Sequence, residues 1–587
     1  MTLAERLDRA VHANFPWLFA VVIAIAIALH LPSLNTPLLD DREARHGFAA
    51  VELAARRPAP SGLADSAAYA ALTAMVFSIA GASTASARFL PAIAGVLLAG
   101  SVLILRQRLG STLTLGAAVL LALSPASAAL SRTADGAILG GLGFGLLVAL
   151  LYGPQSGKRS WLTGGVMGWM VAAGPVGLGG ILVVLAASAA EHLLAGRWRG
   201  AAGRSHAWQQ LGQAARAPGF WVGSVVAGVT ASTTLIFPGG VGTLGQGLAV
   251  WGRSFAFAGP TGLGQALLLV IGYETLALAF AVAAARVFLK SPDLGLFIPL
   301  LAVTALVYFF ARPGRLAGDA LLVVIPLAIM AAVGLREVLT LLSPETLNGV
   351  IVLEMALILG LGVFAYQSLT AYAVQPDVPT YGTLRLALGG VAILGIFLVA
   401  GLFATGWSGN VAGAVGGLGV GLAAMLLVGE LSAVWGVSFS RRANGNELWW
   451  ESSSPRELNL LVASVEEISV HVTGTPNEVA VILQGERHTA LGWAFKDFIH
   501  LQFVDQPSRL SDPMVYIAPL LGDAGSEAMP ELAANYAGQG LTVRERRAWH
   551  GLPPEPIGWW LYRMGPVTRD RVILWAREDV QFPPAQP

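Results

Sequence analysis

Cysteine is absent from this 587-residue chain. Disulfides, thiolate nucleophiles and cysteine-held metals are therefore excluded, and the redox compartment stays open. Lysine is nearly absent too, with only Lys158, Lys290 and Lys496, so arginine carries the positive charge. Charge of either sign is scarce: 12% of residues are charged, where soluble domains carry about 25%. The formal net charge is +1 and no basic face stands out, which excludes a nucleic-acid partner. Hydrophobic residues take the place of charge, at 55% of the chain with a mean hydropathy of +0.65. This is the composition of a polytopic membrane protein.

About twenty apolar residues span a bilayer as a helix. That rule predicts about thirteen spans, near 16–34, 88–105, 112–131, 136–153, 161–172, 174–192, 219–237, 262–285, 293–311, 318–335, 348–370, 383–405 and 410–437. The fifth and sixth form one apolar stretch that Ala173-Gly174-Pro175 splits into a short hairpin. Thr2-Leu3-Ala4-Glu5 reads as a capping box opening an amphipathic helix over residues 1–15, and no small-residue cleavage site follows the first span. Gly140-Gly141-Leu142-Gly143 and Gly416-Gly417-Leu418-Gly419 suit close helix–helix packing. No strand precedes them, so a phosphate-cradling role is not indicated.

Basic residues set orientation. Arg106 and Arg108, then Lys158 and Arg159, then Arg197, Arg199, Arg204 and Arg216, then Arg286 and Lys290 fall in alternate loops, which are expected to be cytoplasmic. The N-terminus then lies inside a plasma (inner) membrane. The loop 35–87 and the segment 440–587 lie outside, within a transmembrane domain 16–437 and beyond it respectively. The outer loop runs against this pattern, because it holds Arg42, Arg45, Arg56 and Arg57. It opens with Asp40-Asp41-Arg42-Glu43-Ala44-Arg45-His46, six ionisable groups in seven residues. Solubility of a loop needs one or two such groups, so this density points to a site at the lipid–water boundary. Residues 42–56 and 66–80 are expected to be helices lying along the outer membrane surface.

These residues resemble the GT-C superfamily of membrane glycosyltransferases, specifically the family-39-like enzymes that take sugar from a polyprenyl-phosphate donor. In that family the first outer loop opens with Asp-Glu-Ala-x-Tyr/His, and Glu43-Ala44-Arg45-His46 matches its last four positions. Leu72-Thr73-Ala74 through Phe77, Gly81 and Ala87-Arg88-Phe89-Leu90-Pro91-Ala92 resemble the family's stretch entering the second span. Leu123-Ser124-Pro125, Ser131-Arg132 and Asp135 resemble its second outer loop. Two departures stand out. The family's leading aspartate, the general base, aligns with Arg42, while Asp41 sits one residue early, about 100° away on a helix. Asp65-Ser66-Ala67-Ala68 occupies the place of a Lys-Pro-Pro-Leu-type segment whose lysine would touch the donor phosphate.

The C-terminal segment is expected to fold as an extracytoplasmic α/β domain. Leu458–Val472 has helical periodicity, while 478–483 and 514–518 read as buried strands. Its closing run, Trp559-Trp560-Leu561-Tyr562-Arg563 and then Val572-Ile573-Leu574-Trp575, is similar to the end of a subfamily described as flippase-activity-associated. The expected fold class is thus mainly α, a GT-C-like transmembrane helical bundle with a C-terminal α/β domain.

Sugar transfer from a lipid phosphate needs a base for the acceptor hydroxyl and cations for the departing phosphate. The resemblance implies Asp41, Glu43 and Asp135 as the acids, and Arg45, Arg42 and Arg132 as phosphate-binding groups. His46 has no second histidine near it and is expected to pack structurally. No cofactor is expected beyond the polyprenyl-phosphate sugar itself, although a divalent metal is compatible with the composition. The partners implied are the lipid-linked donor, a glycan, lipid or protein acceptor, membrane lipids and envelope-assembly proteins. Glu274, Glu354 and Glu430 lie within spans, where a carboxylate faces a cavity or a partner; interhelical hydrogen bonding of the protonated acids is the expectation. Three functions fit these features: a glycosyltransferase, a catalytically degenerate relative that binds lipid-linked sugar or scaffolds an assembly complex, and a lipid-linked glycan transporter. A cavity near Asp41 holding the acids and Arg45, with a lipid-facing groove, favours the first; the same cavity blocked by Arg42 favours the second.

Overall fold

A computed structural model describes residues 3–152, 159–198, 206–232, 236, 240–290, 295–342, 349–374, 379–407, 411–505, 513–520 and 535–579. Lys158, Arg199 and Arg204, three of the residues behind the orientation reading, lie outside the described residues, as does Thr2 of the expected N-terminal cap. The chain is a helical bundle followed by a small sheet domain, the fold class the sequence predicts.

All thirteen expected spans fall on helices. Among the described residues, seven helices are individually long and apolar enough to cross a membrane, and nine spans result if two bent pairs each count as one. The count is lower than thirteen because four expected spans are helices of only 14 to 16 residues: Ala137–Tyr152, Arg159–Ala172, Pro218–Ala231 and Phe297–Ala311. Such helices are about 21–24 Å long, short of a hydrocarbon core of about 30 Å. The first helix is continuous over Leu3–His30 and passes through Pro16 without a separate amphipathic piece. The break at residues 173–174 is as expected: one helix ends at Ala172, the next starts at Pro175, and Gly174 holds φ at +92°.

The stretch Ala317–Thr340 is the axis of the bundle, with 94% of its most apolar window buried. The opposite holds for Pro379–Leu402, where Val391, Leu394, Phe397 and Leu398 are each more than 60% exposed. An apolar face that open suits lipid rather than water.

In the C-terminal domain, β1 (Val481–Gln484), β2 (Leu501–Val504), β3 (Val515–Leu520), β4 (Tyr536–Arg547) and β5 (Val567–Arg577) form one sheet in the order β2-β1-β3-β5-β4. The first three strands are parallel, and β5 runs antiparallel to both β3 and β4. The helix Arg456–Thr473 buries Leu458, Leu461, Val465 and Ile468 against Val481, Leu483, Val515 and Ile517, the i, i+3, i+4 stripe of an amphipathic helix on a sheet. Trp559 instead reaches the bundle, with ring centroids 5.9 Å from Tyr273 and 6.3 Å from Trp549.

Both helices of the first long loop form, over Asp41–Ala54 and Ala67–Ala80. Both are largely buried. Trp493 of the C-terminal domain wedges over them, its ring 5.4 Å from Phe48 and 6.2 Å from Phe77. The sheet domain therefore forms a roof over the loop, which a surface-helix reading of the loop alone does not anticipate.

Candidate functional site

The acidic loop is built around one reciprocal cap. Asp40 is the N-cap of Asp41–Ala54 and accepts the Glu43 N–H at 2.8 Å, while Glu43 Oε2 accepts the Asp40 N–H at 3.2 Å. A capping box fixes where a helix starts, and here it places Asp41 at the first helical position.

Glu43 does more than cap. Arg88 donates to its two oxygens, from Nε at 2.8 Å and from Nη2 at 2.5 Å, and the Ala134 N–H adds a third bond at 2.8 Å. The pair is almost wholly buried, with side-chain exposures of 1% and 7%. Burial works against the charge on Glu43, but Arg88 outweighs it and holds the carboxyl below its ordinary range. Arg88 also donates to the carbonyls of Leu34 and Pro37, at 3.0 and 2.6 Å. The Arg88–Glu43 pair thus ties the first span's exit, the acidic helix and, through Glu43, the second loop together.

The side chains expected at the site divide into two groups. Asp41 turns to the roof: it accepts the Ala490 N–H at 2.9 Å and pairs with Arg544 at 2.9 Å. Arg45 is exposed and forms no ion pair among the described residues. Arg132 points back at the first span, donating to the carbonyls of Leu29, His30 and Ser33 at 3.1 to 3.3 Å. The first two are orphan carbonyls of the helix Leu3–His30, which a cation at a helix C-terminus satisfies. Arg42, Glu43 and Asp135, by contrast, line one cleft.

That cleft has an empty volume of about 430 Å³, including the part open to solvent. Its walls include Asp40, Arg42 and Glu43; Thr133 and Asp135 of the second loop; Pro260, Thr261 and Ala317 of the bundle; and Leu448, Trp449, Trp450, Glu451 and Arg547 of the C-terminal region. Arg42 lies 3.4 Å from Asp65 and 3.6 Å from Glu451. Burial opposes its charge, but Asp65, Asp135 and Glu451 together hold it more firmly protonated than a free guanidinium. Asp135 accepts the Ala137 N–H at 2.9 Å, and burial pushes its carboxyl above the ordinary range although Arg42 and His46 pull the other way. Asp40 is pushed well above as well, first by burial and then by the neighbouring Glu43 carboxylate.

His46 packs beneath the cleft. Its Nδ1 lies 3.2 Å from the Ala134 carbonyl, and its Nε2 lies 3.6 Å from Asp65. A carbonyl can only accept, so the proton of the neutral ring sits on Nδ1. Burial lowers its pKa despite Asp65. Among the described residues no group of three His, Asp or Glu side chains is arranged to hold a metal ion.

Sequence reasoning missed Asp65, Arg88, Glu451, Trp449, Trp450 and Arg547. Two carried a signal. Arg88 stands in the stretch resembling the family's second-span motif. Asp65 opens the segment Asp65-Ser66-Ala67-Ala68 singled out in the sequence, and it pairs with Arg42 at 3.4 Å. Gly174 makes this approach feasible, since a side chain there would overlap the Asp65 carbonyl. The remaining four come from a segment hundreds of residues away, and only the fold brings them in.

Two of the three intramembrane acids meet. The Glu274 and Glu430 carboxyls hydrogen-bond each other, and Glu274 also accepts from Ser124 Oγ at 2.7 Å and the Ala126 N–H at 2.9 Å. Glu354 is buried apart from them, its carboxyl against Gly417. A separate open groove of about 870 Å³ is lined by Ile25, Leu29, Leu123, Leu431, Val434 and Trp435, with Arg441 at its polar end. Arg441 pairs at 2.7 Å with Glu447, next to Leu448 of the cleft.

No protein-family model matches this chain, and no curated protein matches it. Solved structures do. ArnT from Cupriavidus metallidurans bound to undecaprenyl phosphate superposes with a TM-score of 0.58 at 15% identity, covering 96% of this chain and 99% of that one. The apo state of the same protein gives 0.52 at 15% identity, over 97% and 100% of the two chains. The chain has the GT-C fold. At this identity the likeness concerns the fold alone.

Proposed function

We propose that this protein is a GT-C-type membrane glycosyltransferase that takes sugar from a polyprenyl-phosphate donor, with Asp135 as base and Arg42 as the cation facing the phosphate. The observation that carries this reading is the convergence of Asp135 and Arg42 on one cleft, in a chain sharing its fold with a protein solved with undecaprenyl phosphate. In the reaction, an acceptor oxygen bonds to the anomeric carbon, the bond from that carbon to the phosphate oxygen breaks, and the hydroxyl proton passes to a carboxylate. A buried acid whose pKa is raised is a stronger base than a free one once ionised. A guanidinium held charged by surrounding acids stabilises the leaving phosphate. The apolar groove ending at Arg441 suits a polyprenyl chain.

Arg544 and the Ala490 N–H occupy Asp41, which supports Asp135 over Asp41 as the base. The same diversion favours the second reading, a degenerate relative that binds lipid-linked sugar or scaffolds glycan assembly without turnover. Sugar release from a panel of polyprenyl-phosphate sugars, run beside binding of the same panel, separates the two. Asp135→Asn is expected to cost about 10²–10⁴-fold in rate, the usual worth of a positioned base, while donor binding persists. Full turnover in that variant removes Asp135 from the chemistry, and binding without turnover in the wild type establishes the degenerate reading. Sidedness belongs to the proposal too: with the N-terminus cytoplasmic and the sheet domain outside, a reporter fused after Pro587 should be active only outside.

A further inference from the structure

The cleft holds one polar group that its surroundings leave unused. Trp449 is 4% exposed and lines the cleft, and its indole N–H has no hydrogen-bond partner among the described residues. A buried tryptophan normally finds one. The indoles around it do: Trp450 donates to the Asn444 carbonyl at 3.1 Å, Trp549 to Asn446 Oδ1 at 3.0 Å, Trp559 to the Asn446 carbonyl at 3.0 Å and Trp493 to Thr84 Oγ1 at 3.2 Å. Leaving a buried donor unpaired forfeits about 1–3 kcal/mol, so a single exception in a well-paired cluster marks a position kept for something that binds.

The segment that carries Trp449 is tied down on both sides. Arg547 donates to the carbonyls of Glu447 and Trp450, at 2.9 and 2.8 Å. The Leu448 N–H is donated to Tyr273 Oη at 3.3 Å, and the Trp449 ring packs edge-on against Tyr273 at 5.1 Å. Glu447 is buried beneath, paired with Arg441 at 2.7 Å. The donor is therefore preorganised, and its orientation costs nothing at the moment of binding.

The chemistry around it is complementary to a ring of hydroxyls. Asp40, Asp135 and Glu451 line the cleft with carboxyls, and Trp449 and Trp450 line it with indoles. A sugar hydroxyl both donates and accepts, and the C–H face of a pyranose is apolar. A second anion would meet an excess of carboxylates there, whereas a neutral polyol would not.

We propose that Trp449, Trp450 and Glu451 form the subsite for the sugar ring of the donor, with the Trp449 N–H hydrogen-bonded to a ring substituent and setting sugar preference. This rests on the lipid-linked-sugar reading above and assigns the sugar end of that ligand to the C-terminal segment. The full-length protein in detergent is titrated with polyprenyl-phosphate hexoses and pentoses and with bare polyprenyl phosphate. Wild type should bind at least one sugar-bearing lipid more tightly than the bare lipid. Trp449→Phe, which keeps the aromatic face and removes the N–H, should weaken that lipid by about three- to tenfold, the worth of one hydrogen bond, and leave the bare lipid unchanged. Glu451→Gln should narrow the same ratio, and it serves where Trp449→Phe does not fold. An unchanged ratio in both variants, or equal binding of sugar-bearing and bare lipid by wild type, overturns the subsite and leaves the lipid-phosphate reading standing. No binding of any lipid by folded wild type overturns both.

Discussion

Removing either partner of the Glu43–Arg88 pair should destabilise the whole assembly of loops around the cleft. In Glu43→Gln the carboxylate's charge is lost and Arg88 stays buried at 1% side-chain exposure. Breaking a buried pair by removing one partner costs about 3–5 kcal/mol, mostly because an uncompensated charge remains. Arg88→Ala should fall at the upper end of that range. It removes both bonds to Glu43 and also releases the Leu34 and Pro37 carbonyls, while the Ala134 and Asp40 N–H groups remain as weaker partners for the carboxylate. The double variant Glu43→Leu/Arg88→Leu leaves no buried charge, so it should be less destabilised than Arg88→Ala alone. The assay is thermal and denaturant unfolding in one detergent of Glu43→Gln and Arg88→Ala, and of wild type, Glu43→Leu, Arg88→Leu and the double Leu variant followed as a double-mutant cycle. Single variants as stable as wild type, or a double variant whose loss equals the sum of the singles, would refute the claim that this pair pins the loop.

Three further outcomes follow from the same geometry. Asp41→Asn and Arg544→Ala should each loosen the sheet domain from the loop, seen as faster proteolysis between the domains. Asp41→Asn should keep most of its donor binding, since Asp41 lies off the cleft; loss of donor binding there would return Asp41 to the site. Arg42→Asp adds an acid to Asp40, Asp65, Asp135 and Glu451 and should lower Tm, and Arg42→Asp/Asp65→Lys should recover it by restoring one pair of opposite sign; no recovery would mean that the Arg42–Asp65 pair is not a unit. The lowered pKa of His46 means that the fold prefers the neutral ring. Its contribution is complete above its ordinary value of about 6.5 and is lost as pH falls through the lowered one. His46→Gln should therefore flatten the decline in Tm on the acid side of about pH 6.5, compared at each pH with wild type because Asp40 and Asp135 act with the opposite sign. An unchanged slope would place the proton uptake elsewhere.

The membrane class and the positions of the apolar helices were legible in the sequence because each depends on neighbours along the chain. Apolar runs of about twenty residues become helices in lipid for lack of any other backbone partner. Gly174 and Pro175 break a helix locally whatever surrounds them. The C-terminal helix and its two buried strands followed from periodicity for the same reason.

Which ionisable groups face the cleft was decided only by the tertiary structure. Asp41 and Arg42 are adjacent in sequence and about 100° apart on a helix, so one meets Arg544 of the roof and the other meets Asp65 and Glu451. Arg132 looks like a phosphate ligand in one dimension and is a helix cap in three. The aromatic wall at residues 448–450 and the Arg88 anchor depend on contacts between segments 45 to more than 300 residues apart. No local pattern encodes such contacts, because packing and charge compensation act between side chains that only the completed fold makes neighbours.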